Sequence, residues 1–181
     1  MPRQLLADSP WEGHVWVTKG ANTMGMARQP KLSLLGAPKG EVRTQFAALC
    51  YRVRQGKIQV LVITSRRSKR WIMPKGWPMD GKTPAASALR EAWEEAGVRG
   101  TAHETALGAY TYGKKTSDDA GIYCMVMLYP VRVKTLAKKF PEKGQRKRRW
   151  VSRKKAARLV NEPELGRLIM GFDPRHPQPD S

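Results

Sequence analysis

A chain of 181 residues suits one ordinary domain with flanking segments and is long enough to bury a core. Its 34 Lys and Arg against 15 Asp and Glu give a formal charge of +19, a field that draws in polyanions and raises their encounter rate. No apolar run approaches the ~20 residues needed to cross a bilayer, the N-terminus lacks a signal-peptide core, and Cys50 and Cys124 sit in apolar runs as buried free thiols, so a soluble cytoplasmic protein without a membrane partner is expected.

Residues 1 to 40 mix Gly, Pro and Ser without a sustained period and read as a loosely ordered arm before a domain over 41–172. Thr44 to Val53 and Ile58 to Ser65 are β-rich runs joined by RQGK, whose glycine marks the turn of a hairpin. A basic loop, RRSKR, leads into a short strand from Trp71 to Pro74 that delivers the chain to Lys75 and Gly76. A helix follows. Thr83 caps its free N–H groups, Pro84 suits its first position and Gly97 supplies the left-handed residue that stops it. Leu107 to Tyr112 and Ile122 to Val133 are two further strands around the polar loop GKKTSDDAG, the second a continuous apolar run suited to a buried position. A short strand at Arg149 to Val151 precedes a helix capped by Ser152, with Ala156, Leu159 and Val160 on one side. A last helix over Glu162 to Met170 and a mobile Pro-rich tail over 173–181 complete an α+β chain.

The first helix has two unlike faces. At about 100° per residue Leu89, Ala92, Trp93 and Ala96 fall on one side, and Glu91, Glu94 and Glu95 gather on the other. Like charges three and four apart oppose helix formation by roughly 0.2–0.5 kcal/mol per pair, so the cluster calls for a cation. Arg90, four residues before Glu94, supplies one but cannot balance three carboxylates, which leaves room for a divalent metal. Hard oxygen donors with no His or Cys nearby favour Mg2+ or Mn2+ over zinc.

Gly76 to Val98, GWPMDGKTPAASALREAWEEAGV, resembles the Nudix box, G-x5-E-x7-R-E-U-x-E-E-x-G-U with U aliphatic. Gly76, Arg90, Glu91, Ala92, Glu94, Glu95, Gly97 and Val98 stand at the required spacings, while Lys82 replaces the first glutamate of the pattern. The resemblance implies a Nudix-type α/β/α sandwich with a mixed β-sheet and a hydrolase acting on P–O–P bonds. It also implies Glu91 and Glu95 as metal ligands, Glu94 as a further ligand or the catalytic base, and Arg90 as the group orienting the carboxylates. Gly76 is expected to turn the backbone tightly, so that a carbonyl near it reaches the metal. Some members take their base from a loop, for which Glu104, Asp118, Asp119 and Glu142 are available.

A closer likeness, over roughly residues 44 to 160, is to the diphosphoinositol polyphosphate phosphohydrolase branch, which acts on inositol pyrophosphates and diadenosine polyphosphates. AALCYR, SRRSKRWIMPKG, EEAGVRGTA and QRKRRWVS carry it. By this resemblance Ser65, Arg66 and Lys147 contact substrate phosphates, and Lys75 joins them in a PKG step that recurs in enzymes of dinucleoside polyphosphates. MPKGWPM departs from that branch's glycine-rich turn, and its basic pair before the first strand is missing. The expected partner is thus a phosphate-rich small molecule. The alternative is a nucleic-acid-binding module. From Arg132 to Arg158 thirteen Lys and Arg face the single acid Glu142, and Trp150 within that run would stack on a base. The acidic REAWEEAG favours the enzyme, because carboxylates repel a phosphate backbone; hydrolysis of nucleoside triphosphates or of capped RNA ends are further variants.

Overall fold

β1 (Val42–Arg54) and β2 (Lys57–Thr64) form the expected hairpin in the computed structural model, which describes residues 42–114 and 122–175. Gln55 and Gly56 take φ of 49° and 69°, and with Arg54 paired to Lys57 they make the two-residue left-handed turn whose twist matches the strands. The arm over 1–40, most of the GKKTSDDAG loop and the end of the tail lie outside the described residues.

The strand expected over Trp71 to Pro74 is divided into β3 (Trp71–Ile72), paired with β2, and β4 (Lys75–Gly76), paired with β1. Pro74 has no N–H to give a ladder, and its carbonyl accepts from Ala48 N at 2.9 Å while the chain crosses between neighbours. That crossing places Lys75 and Gly76 beside Ala47 and Phe46.

The box helix α1 (Pro84–Ala96) has the predicted ends. The Thr83 hydroxyl accepts from Ala86 N at 3.1 Å, and Gly97 has φ of 66° and donates to Trp93 O at 2.8 Å. β5 (Val98–Ala102) was not expected, since VRGTA is short and its pairing is interrupted by a bulge at Arg99/Gly100. β6 (Gly108–Lys114), β7 (Ile122–Leu136), β8 (Arg148–Ser152), α2 (Arg153–Leu159) and α3 (Pro163–Gly171) follow the predicted order with small changes of length.

The strands make one mixed sheet, β3-β2-β1-β7-β5, with β4 joining β1, β6 joining β7 and β8 joining β2; β1 and β7 are parallel and the other pairs antiparallel. Period-two alternation assigns the two faces. Ala47, Leu49, Tyr51, Val60, Val62, Val126 and Leu128 pack under α2 and α3, whereas Phe46, Ala48, Cys50, Leu61, Ile63 and Val131 pack under α1. The result is the expected α/β/α sandwich. Each fully buried Leu, Ile or Val contributes roughly 1.5–3 kcal/mol. Cys50 and Cys124 are free and lie on opposite faces.

α1 buries most of the face its periodicity predicts, Ala92 and Ala96 fully and Leu89 in part, but the buried stripe is shifted toward the small residues. Ala85, Ala88, Ala92 and Ala96 meet the sheet, because four small side chains admit a close approach, and Trp93 stays half-exposed with Arg99 over its ring at 5.2 Å. Glu95 turns inward with the alanines and is 8% exposed. The segment after β7 returns to the C-terminal end of this helix, with Ala137 N on Gly97 O at 2.8 Å and Glu142 N on Glu94 O at 3.0 Å. Phe140 seals that end against Gly97, where a Cβ would meet its ring. Among the described residues no helix is long and apolar enough to cross a membrane.

Candidate active site

A cleft of about 580 Å³ opens where α1, β4, the β2–β3 loop and the segment before β8 converge. α1 contributes Glu91, Glu94 and Glu95, and the returning segment adds Glu142 and Arg146. The β2–β3 loop brings Ser65, Arg66 and Arg67, held in a tight turn by Ser65 N on Arg70 O at 2.8 Å and by a 2.7 Å contact between the Ser65 and Ser68 hydroxyls. β4 and the residue after it add Lys75, Gly76 and Trp77, and Gln45 and Tyr112 close the floor with a 2.7 Å bond from the phenol to the amide oxygen.

Two arginines organise the carboxylates. Arg90 Nε donates to Glu94 Oε1 at 2.5 Å, one turn along the helix. Arg146 donates through NH2 to Glu95, through Nε to Glu142 Oε2 at 2.7 Å and through NH1 to the Thr64 carbonyl at 3.2 Å. Glu95 also accepts from Lys75 N at 3.1 Å. The Glu91 carboxylate instead packs against Gly76, where any Cβ would collide with it. Gly76 lies in β4 rather than in a turn, so its use is the missing side chain and not a special backbone angle.

The titration of these groups follows from their crowding. Burial first, then Glu95, Glu94 and Glu142, raise the Glu91 carboxyl from 4.5 to about 7, against the opposing pull of Arg146. Burial also raises Glu95, opposed mainly by Arg146. Lys75 is lowered by burial, with Glu95 acting the other way, and its ammonium stands 5.1 Å from the Tyr112 ring. Cys50 is pushed up by burial and by Glu95, which keeps the thiol protonated and inert.

The residues fit a hard dication. Among the described residues four carboxylates face one cleft, no His or Cys lines it, and the Glu91 carboxylate receives no hydrogen bond or ion pair while its neighbours penalise its charge. They do not form a ready-made cage: among the described residues no group of three or more such side chains is arranged for a metal. Arginines instead hold Glu94, Glu95 and Glu142 in ion pairs.

Of the residues proposed from sequence, Glu91, Glu94, Glu95, Gly76, Ser65, Arg66 and Lys75 line the cleft together. Arg90 stands behind Glu94. Lys147 does not line the cleft; its backbone N–H and carbonyl are bonded to Thr64 at 2.9 Å each, and its side chain is exposed. Lys82 is exposed and outside the cleft, in a turn closed by Lys82 N on Met79 O at 3.2 Å. Among the loop carboxylates considered as a base, Glu142 lines the cleft, Glu104 does not, and Asp118 and Asp119 lie outside the described residues. Arg146, Gln45 and Arg67 were not singled out from sequence. The signal for Arg146 was its place four residues after the lone acid of a basic run. Trp71, Tyr110 and Tyr112 belong to or pack against the core, and Tyr112 borders the cleft as well, beside Trp77. Trp150 packs against the α1 side of the sheet with the Arg52 guanidinium 4.2 Å over its ring.

A family model described as NUDIX domain matches residues 43–171. Among curated proteins the chain is 32% identical over 119 residues to "Nudix hydrolase 12, mitochondrial" of Arabidopsis thaliana, covering 64% of this chain and 59% of that protein. It is 40% identical over 63 residues to the human "Diphosphoinositol polyphosphate phosphohydrolase 3-alpha", covering 35% of this chain and 38% of that one. The alignment thus spans less than two thirds of either relative. Among solved structures, a binary complex of a C. elegans Ap4A hydrolase superposes with a TM-score of 0.53 at 22% identity, covering 71% of this chain and 93% of the other. Its likeness establishes the fold. With the family model spanning nearly all of the described sheet and helices, and the cleft built on the box helix, the chain belongs to the NUDIX domain family.

Proposed function

We propose that this protein is a divalent-metal-dependent hydrolase that cleaves a P–O–P bond in a phosphate-rich substrate, a diphosphoinositol polyphosphate or a diadenosine polyphosphate. The observation that carries this reading is the meeting of four carboxylates, Glu91, Glu94, Glu95 and Glu142, with the cationic wall of Arg66, Arg67 and Lys75 across one cleft.

Phosphoric anhydrides resist attack because their oxygens already carry negative charge. Mg2+ or Mn2+ held by Glu91 and Glu95, with Glu94 as a further ligand where it is not the base, would supply charge neutralisation and acidify a bound water. Arg66 and Arg67, exposed on the β2–β3 loop, meet the outer phosphates, and Lys75 meets those nearer the floor. The water oxygen bonds to phosphorus as the bridging P–O bond breaks, and the proton goes to a carboxylate. Glu142 and Glu94, both lining the cleft, are the candidates for it. Arg146 holds the first by its Nε, and Arg90 holds the second.

Names of relatives support the substrate class. One similar protein is named for diphosphoinositol polyphosphates and one similar structure for Ap4A. The test is a release assay over inositol pyrophosphates, diadenosine polyphosphates, ADP-ribose and nucleoside triphosphates, with and without Mg2+. Metal-dependent release from one of the first two is expected, with loss of about 100-fold or more in Glu94→Gln. A pure, folded sample inert toward the whole panel would sink the proposal.

A further inference from the structure

On the face of the sheet that carries α2 and α3, β7 presents Cys124, Val126 and Leu128 to the core, and the same alternation then brings Arg132 to that face, with Lys134 following at the break in register opposite Arg99 and Gly100. The apolar pattern ends where helix cover ends: no residue of β5 belongs to the core beneath α2 and α3. Arg132 and Lys134 stand exposed there and, with Thr101 and His103, line a groove of about 630 Å³.

This groove is remote from the cleft. Arg132 pairs with Tyr51 and Val126 with Gln45, so six residues of strand, roughly 20 Å, separate its base from the cleft floor. Thr101 is the cross-strand partner of Arg132, which brings their Cβ atoms to about 5 Å, and Lys134, the residue skipped where the pairing passes from Gly100–Val133 to Arg99–Thr135, lines the same groove. His103 is fixed rather than loose. Its Nε2 is 3.1 Å from the Tyr51 hydroxyl, and the Tyr51 ring is held edge-on by Phe172 at 4.8 Å. Burial raises the Tyr51 phenol, which keeps its proton.

The titratable side chains lining the groove are all basic, and among the described residues neither Arg132 nor Lys134 has a carboxylate partner. We propose that Thr101, His103, Arg132 and Lys134 form a second anion site, separate from the catalytic cleft, that takes a di- or triphosphate group. Two cations without a carboxylate partner among the described residues, a hydroxyl and an oriented imidazole around one groove match such a group. A nucleic-acid strand fits less well, because the charges are gathered at one point and the lining offers no free aromatic face for stacking.

The test is titration of the full chain with inorganic tripolyphosphate in chelator, followed by amide chemical shifts and calorimetry, with ATP and a short single-stranded oligonucleotide as parallel arms. Tripolyphosphate is expected to shift the amides of Thr101, His103, Arg132 and Lys134. Arg132→Ala/Lys134→Ala is expected to weaken that binding by roughly tenfold or more while leaving substrate cleavage unchanged. Tyr51→Phe, which keeps the ring, is expected to weaken it less. If ATP binds there as tripolyphosphate does, the physiological source is a nucleotide, and if tripolyphosphate alone binds, it is a free polyphosphate. Unmoved amides in that set, full binding in the double variant, or tighter binding of the oligonucleotide would each overturn the site.

Discussion

Arg146 and Glu95, 51 residues apart in sequence, form an ion pair whose side chains are 7% and 8% exposed. The same guanidinium holds Glu142 and the Thr64 carbonyl, so one side chain joins the box helix, the end of β2 and the segment before β8. Charges taken this far from water are expensive unless every partner is in place.

Removing that guanidinium therefore exposes the cost. Arg146→Met is expected to destabilise the metal-free protein by about 3–5 kcal/mol, because Glu95 is left buried with Lys75 N as its remaining donor. Arg146→Lys is expected to recover part of the loss. Urea denaturation in chelator measures both, and a loss below about 1 kcal/mol for the Met variant would show the pair to behave like a surface contact.

Gly76→Ala tests the seat of Glu91. The backbone at Gly76 is ordinary extended strand, so alanine is compatible with the chain itself, but its Cβ meets the Glu91 carboxylate. Turnover is expected to fall by about 100-fold with far-UV circular dichroism unchanged. Near-normal turnover would mean that Glu91 works from another position.

Arg66 and Lys147 were equal candidates for phosphate contacts, and the structure separates them. Arg66 lines the cleft, where Glu142 lies 3.5 Å from it, whereas Lys147 engages Thr64 by its backbone. Arg66→Ala is expected to raise KM for substrates with several phosphates by about tenfold, and for ADP-ribose by less. Lys147→Ala is expected to change either only slightly. Steady-state kinetics decides, and a larger effect at Lys147 would refute the assignment.

The Glu91 carboxyl sets a pH dependence. Its folded value of about 7 lies above its ordinary 4.5, so its contribution to stability is fully present below the ordinary value and is lost as pH rises through the folded one. Metal-free protein should therefore lose thermal stability between about pH 5 and pH 8, and Glu91→Gln should lose less over the same interval. Melting curves in chelator give the comparison. Identical slopes in the two proteins would remove Glu91 as the source.

The sequence by itself determined the box helix to the residue, because Thr83, Pro84 and Gly97 act through local backbone chemistry. It determined the hairpin at Gln55–Gly56 for the same reason, and it placed the carboxylates on one helix by spacing alone. Tertiary structure decided what spacing cannot. Whether Glu95 faces the core or the solvent depends on which stripe of α1 meets the sheet, and the small alanines, with Leu89 beside them, won over Trp93. Which cation of the long basic run enters the cleft was equally hidden, since charge is the same at every Lys and Arg. Only the return of the Ala137–Lys147 segment onto the end of α1 turns Arg146 inward and leaves Lys147 outside. The physical reason is range: caps and turns are settled within a few residues, whereas burial of a charge is settled by partners that folding brings from elsewhere in the chain.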